Sequence, residues 1–393
     1  MDKKESYYKI LGTTANIGNA KIKEKYIQAL KKHPPETDPE GFEKVKEAYG
    51  ATVEDLFEKA SQASDSGNIE KAEKLLERAN TISPRNPYIM LGLMSIAIEQ
   101  EDFEKMDDLF KGILEIVPES ETEERASLYT IKAAMLIGAD FYEAALETLE
   151  KARELLPQEQ KTFAPLLAKI YLESKQFEEA WEAVNKSIPK IEDGEFEDIH
   201  LLILWSKMMF LSERWKDKSK VQSYFRKFIK NITDEQEKDI AYDLLIEAFN
   251  EFNDHGNYRE AEFYIDLIRI LDNNDPEINE KSNKVKELAR VQKDLDHLED
   301  DDDIFPLVYI QAFEWFYEGI IPAKKIEMMV NSLPSVILDE LKEEKELHAA
   351  GIIHLRKKYP KTYKYFKEGW DNLFEELTEG LNREMKRELR RKR

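Results

Sequence analysis

Pro84 and Pro118 stand 34 residues apart, and so do Ile69 and Phe103, each of which opens a run of small and apolar residues at helical spacing. In the first run Ile69, Glu70, Lys71 and Ala72 lead through Leu76 and Ala79 to Pro84. In the second, Phe103, Glu104, Lys105 and Met106 lead through Phe110 and Ile113 to Pro118. A period of this length suits one helical hairpin and its turns. A lone hairpin hides one apolar stripe within itself and leaves the other bare, so it must stack on further copies. The period therefore predicts an all-α fold, a solenoid of stacked helical hairpins.

More copies follow. Tyr142, Ala145, Leu149, Ala152 and Pro157 repeat the pattern, Phe177, Ala180 and Val184 do so again, and Tyr258, Ala261, Ile265 and Ile268 give a late copy. Trp215 to Ile232 is longer and lacks the small residue, which predicts one irregular repeat. Five to six repeats are expected over residues 51–290, more than the roughly three a stable stack needs. Ala60, Ala72, Ala133, Ala145, Ala168, Ala180 and Ala261 are expected where helices approach closely, and Phe103, Tyr142, Phe177 and Tyr258 inside the hairpin junctions.

Composition agrees. Charged residues make up 36% of the 393 residues, and glycine and proline number only 14 each, so helical patterning dominates. The chain has no cysteine, which removes disulfides, thiolate metal sites and thiol nucleophiles and suits a reducing compartment. No stretch approaches the roughly 20 apolar residues that span a bilayer. The longest, from His200 to Leu211, is broken by Lys207 and reads as a buried helix. The N-terminus lacks an apolar leader, so a cytoplasmic location is expected. A net charge of -22 would repel nucleic acid and anionic membranes over most of the surface. Only Lys386 to Arg393, a basic tail, would meet RNA or an acidic lipid surface.

The 34-residue period with its small residues resembles the tetratricopeptide repeat family. That resemblance implies a superhelix whose concave wall comes from the first helix of each hairpin. Counted from the repeated positions, the first hairpin offers Phe57 to this candidate groove, and the second offers Leu91, Ser95 and Ile98. Thr130 and Ile137 come from the third, Lys169 and Leu172 from the fourth, and Ile203, Lys207 and Phe210 from the fifth. One class in that family grips a terminal carboxylate with Lys and Asn at fixed first-helix positions. Phe57, Ser61 and Gly92 stand there instead, so that clamp is absent. The wall suits a helix or extended segment of a protein partner or client peptide held by apolar anchors, unless the chain's own C-terminal region covers it.

Ahead of the array, residues 1–50 carry ten Lys against eight Asp and Glu. Ile22, Tyr26, Ala29 and Leu30 form one stripe of an amphipathic helix, with Lys21, Lys23, Lys25, Lys31 and Lys32 around it. His33, Pro34, Pro35 and Glu36 begin a stiff loop, and Phe42, Val45, Ala48 and Tyr49 face back from a return helix. The Tyr7-Tyr8-Lys9-Ile10-Leu11-Gly12 opening, the basic helix, the proline loop and the return helix resemble the J-domain family in their order. This implies docking to a seventy-kilodalton-class heat-shock ATPase through the basic helix and loop. The chain departs from the family where His-Pro-Asp stimulates ATP hydrolysis: it reads His33-Pro34-Pro35-Glu36, and proline supplies neither carboxylate nor N–H. The segment is thus expected to be a degenerate J-like module unable to stimulate the ATPase.

Beyond the repeats, Glu277 to Asp303 reads as a long charged helix ending in an acidic run, with residues 291–303 a solvated linker rather than a calcium loop. Residues 304–393 are expected to be helical, with Pro306 and Pro322 at helix starts and longer helices from Ser335 to Tyr359 and from Lys361 to about Arg391. Phe313, Trp315, Phe316, Tyr363, Phe366, Trp370 and Phe374 would bury one another or cap the last repeat. There is no nucleophile elbow, phosphate loop or metal-ligand motif, and the six histidines are scattered, so neither an enzyme nor a cofactor is expected. The sequence reads as a protein-binding adaptor, with a purely structural or regulatory solenoid as its rival. It leaves the oligomeric state open.

Overall fold

The structure, a computed structural model, describes residues 3–14, 19–272, 275–304, 306–320 and 344–381. Among them the regular structure is entirely helical. Two helices lead, α1 (Lys3–Ile10) and α2 (Asn19–Lys32). Six hairpins follow: α3 (Pro39–Asp65) with α4 (Ile69–Ile82), α5 (Pro87–Glu99) with α6 (Phe103–Leu114), α7 (Thr122–Gly138) with α8 (Tyr142–Leu155), α9 (Gln160–Glu173) with α10 (Phe177–Ser187), α11 (Asp198–Leu211) with α12 (Lys218–Asn231), and α13 (Glu235–Asp254) with α14 (Tyr258–Leu271). After them come α15 (Pro276–Glu299), α16 (Leu307–Tyr317), α17 (Lys345–Lys358), α18 (Pro360–Tyr365) and α19 (Lys367–Leu377). The chain divides into two compact units, Met1–Ser187 and Ile188–Arg393.

Local chemistry starts and stops these helices. Asp38, Asn68, Asn86, Asp102, Asp234 and Asp275 cap helix N-termini through side-chain oxygens, satisfying N–H groups that lack intrahelical partners. All six hairpins close in one way. Gly67, Glu101, Asp140, Lys175, Glu213 and Gly256 adopt φ between 52° and 76°. The next residue's N–H then bonds back across the turn, as Asn68 does to the Ala63 carbonyl at 2.8 Å and Gln176 to the Tyr171 carbonyl at 2.7 Å. This is the Schellman closure. In four of the six it is made without glycine, at about 1–2 kcal/mol each for the left-handed backbone.

The small residues lie where close approach requires them: Ala60, Ala72, Ala133, Ala145, Ala168, Ala180 and Ala261 are all buried. Three of the four junction aromatics behave otherwise. Phe103 and Phe177 are 37% and 41% exposed, Tyr142 is half-buried, and Tyr258 alone among the four is buried. As the first residue after a turn, each sits at the rim of its hairpin, where only a following element can cover it. Phe103 thus has the edge of Phe141 at 5.0 Å. The irregular fifth repeat is explained by a 3-10 turn, Trp215–Asp217, inserted before α12.

The return helix expected at Phe42–Tyr49 and the first helix of the first repeat are one continuous helix, α3, so the boundary expected after residue 50 falls inside it. Leu11, Ile22, Ala29, Val45 and Ala48 share a single core with Leu56, Ala72, Leu76 and Ile89. Tyr26 stacks on Tyr49 with centroids 3.9 Å apart, and the Tyr49 hydroxyl donates to the Ile82 carbonyl at 2.5 Å.

In the second unit, α15 is helical through Glu299, and Asp301 is 8% exposed. The expected solvated linker over 291–303 is therefore corrected. Asp301 accepts from Lys358 Nζ at 2.7 Å and the Tyr359 hydroxyl at 3.2 Å, because α17 packs beside it. Gln292 bridges three partners: it accepts from the Arg259 N–H at 3.1 Å and donates to the Gly256 carbonyl and the Tyr317 hydroxyl, both at 2.9 Å. Trp315 lies 4.5 Å from Trp370, which is fully buried, so the C-terminal aromatics pack on one another and on α15. The helix expected from Lys361 is interrupted at Phe366 and ends at Leu377, before Gly380 at φ +83°. Pro322, the start of the helix expected at Ser335, and the basic tail lie outside the described residues.

Candidate functional site

Within the first unit, α5 packs beside α7 and α7 beside α9, so first helices neighbour first helices and form a wall. Phe57 on α3 is 39% exposed. Its ring reaches over Gly92 of α5, where an added Cβ would stand 3.5 Å from Phe57 Cε2 and 3.1 Å from Leu76 Cδ1. Leu91 and Leu172 are half-buried, Ser95 and Lys169 exposed, and Thr130 partly exposed.

Two expected wall residues of this unit are core instead. Ile98 is 2% and Ile137 is 3% exposed. Each lies seven residues beyond another wall position, and seven residues fall short of two full turns by about 20°. Each also lies just before a hairpin closure, so the second helix folds over it. Both belong to the same apolar cluster as Phe110 and Leu149.

Sequence reasoning missed two of the most prominent wall residues. Tyr88 is 75% exposed and Ile131 is 39% exposed. Tyr88 lies three residues before Leu91, a step the helical period could have supplied. Ile131 carried no signal, since an isoleucine inside an apolar repeat reads as core.

Between α7 and α9 the wall opens into a cleft of about 520 Å³. Ala126, Ile131, Leu156 and Phe163 give it an apolar lining, and Glu123, Ser127, Thr130, Glu159 and Thr162 supply its polar side chains.

The expected wall residues of the fifth hairpin belong to the second unit. Ile203 is half-buried. Lys207 pairs with Glu251 at 2.5 Å, so its charge is answered within the chain. Phe210 is 7% exposed and meets Trp215, Phe252 and Phe263 at centroid distances of 5.3 to 5.6 Å. It is a core residue, drawn inward because aromatics of α13 and α14 surround it.

The J-like segment presents α2 with Ile22 and Ala29 inward and Lys21, Lys23, Lys31 and Lys32 outward, Lys25 being partly covered. In the loop, His33 Nδ1 lies 2.7 Å from Asp38 Oδ2, and Asp38 Oδ1 accepts the Gly41 N–H at 2.9 Å. Bonding to His33 and then to Gly41 holds the Asp38 carboxyl below its ordinary range. Pro34 is partly exposed, and Pro35 and Glu36 are exposed. The loop's aspartate is thus engaged in capping α3.

Asp301, Asp303 and His354 also converge: His354 Nε2 lies 3.4 Å from Asp301 and Nδ1 3.5 Å from Asp303. The Lys358 ammonium already answers Asp301, which gives the group a structural role in joining α15 to α17.

A family model described as ChAPs (Chs5p-Arf1p-binding proteins) matches residues 52–207. The match begins within α3, runs through the rest of the first hairpin and the next three, and takes in most of α11. No curated protein matches the chain. Similar solved structures include one from a functional characterisation of Pseudomonas aeruginosa pilF, at 16% identity and TM-score 0.31, covering 60% of this chain and 99% of that one. Another is the P58(IPK) TPR domain, at 14% identity and TM-score 0.22, covering 94% and 96% respectively. A circular tandem repeat protein aligns at 16% identity and TM-score 0.21, covering 95% and 82%. The hairpin geometry above, with its recurring closures, by itself makes the chain an all-α array of tetratricopeptide-like helical hairpins.

Proposed function

We propose that this chain is a non-catalytic adaptor that holds a segment of a protein partner on the first-helix wall of residues 51–187. The observation that carries the reading is the exposure of Phe57, Tyr88 and Ile131 on three neighbouring first helices. Placed on neighbouring first helices, these three side chains offer a partner segment a row of apolar anchors. The matched family model is named for binding two proteins, Chs5p and Arf1p, which supports a protein partner. The J-like segment acts in this reading as the cap of the first hairpin, whose core it completes, with its lysines turned to solvent.

The test passes purified Chs5p, purified Arf1p and a random peptide library over the immobilised full chain and over a Phe57→Asp/Tyr88→Asp variant. Both positions are exposed, so the fold should survive. Burying one such side chain contributes about 1.5–3 kcal/mol, so the variant should bind at least about tenfold more weakly. Equal retention by both proteins would refute the wall.

A further inference from the structure

We infer that the cleft between α7 and α9 receives a lysine or arginine side chain of the partner segment, with an aliphatic neighbour resting on Ile131. The inference rests on the wall reading above and names the chemistry of its ligand.

The polar side chains of the cleft accept and do not donate. Ser127 Oγ gives its proton to the Glu123 carbonyl at 3.0 Å, and Thr130 Oγ1 gives its proton to the Ala126 carbonyl at 2.8 Å. Thr162 Oγ1 points its proton at the Glu159 carboxylate, 3.5 Å away. A hydroxyl has one proton, so these oxygens present lone pairs to anything entering. Beside them stand the Glu123 and Glu159 carboxylates, one from each helix. Both sit at helix starts, where the free N–H groups offset part of their charge. Each helix end carries only about half an elementary charge, so two full carboxylates leave the mouth negative.

The apolar lining selects among cations. Ala126, Ile131, Leu156 and Phe163 would cover a long methylene stem, while the charged head reaches the acceptors. Lysine and arginine combine a stem of that kind with a head made only of donors. A small hydrated metal ion would leave the apolar lining unused. Lys169 lies two turns further along α9 and is exposed, which disfavours a second cation there and gives the groove a direction.

The experiment selects a random library of acetylated, amidated peptides on the full chain and on its Glu123→Gln/Glu159→Gln variant. Glutamine keeps size and helical character, and circular dichroism checks that the fold is kept. The expected result is enrichment of Lys and Arg over Asp and Glu by about tenfold in the wild-type pool, with loss of that bias in the variant. A wild-type pool rich in apolar residues but indifferent to charge would overturn the inference and leave the wall standing. A basic bias that persists in the double variant would place the cation elsewhere and overturn it equally. Failure to capture any peptide would sink both readings.

Discussion

Ser206→Ala and Tyr264→Phe remove the same hydrogen bond, yet they should cost different amounts. Ser206 and Tyr264 are both fully buried, and their hydroxyl oxygens lie 2.7 Å apart between α11 and α14. Ser206 Oγ donates its one proton to the Ile203 carbonyl at 2.9 Å, so the tyrosine must be the donor in the pair. Burial pushes the Tyr264 hydroxyl well above its ordinary value, which keeps it protonated. Tyr264→Phe deletes the donor and leaves Ser206 still bonded to the backbone, a loss of about 1 kcal/mol. Ser206→Ala strands the tyrosine proton in a dry core, at about 2–3 kcal/mol. In the double variant no polar group is stranded, so it should cost about 1 kcal/mol less than the sum of the singles. Hydrogen exchange of the α11 and α14 amides, read with urea unfolding of the full chain, measures all three. A Tyr264→Phe variant as damaging as Ser206→Ala, or strictly additive effects, would refute the assigned donor and the argument built on it.

Two further outcomes are expected. Burial opposes ionisation of Asp301, but the bonds from Lys358 and the Asp303 N–H outweigh it and hold its carboxyl below the ordinary range. Its stabilising contribution is therefore complete above the unfolded value near pH 4 and is lost as pH falls further. Asp301→Asn should cost about 2 kcal/mol at neutral pH and flatten that acid limb in a melting series, and an unchanged acid profile would contradict the pairing. Added to a seventy-kilodalton-class heat-shock ATPase, the chain should leave single-turnover ATP hydrolysis unchanged, since Asp38 is engaged with His33 and Gly41. A clear acceleration would show that the loop retains the activity its sequence departs from.

The hairpins were legible because small and apolar residues recur with a fixed period, and packing of helix on helix enforces that period. Depth was not. Periodicity tells which way a side chain points but not what lies over it, so Ile98, Ile137 and Phe210 read as wall and are core, while Phe103 and Phe177 read as core and are exposed. The closures of the hairpins were also hidden. Gly67 and Gly256 occupy two of them, but Glu101, Asp140, Lys175 and Glu213 take the same left-handed geometry with nothing in their chemistry to announce it. Asp301 read as one acid in a solvated run because its partner, Lys358, is 57 residues away, beyond the reach of any local pattern. The cleft of α7 and α9 depends on which hydroxyl protons are spent, and that is a matter of side-chain geometry alone.

One uninterrupted helix, α3, carries 27 residues from the proline loop to the first hairpin closure, a rod of about 40 Å. Cutting the chain after residue 50 would not detach a module. It would take away the part of that rod holding Val45 and Ala48, leave Ala51 as an uncapped end, and strip α2 from the face of α4 against which it packs. A truncated protein of that kind reports on a damaged stack, so any role of the basic helix must be sought by changing its outward lysines one by one on the whole molecule.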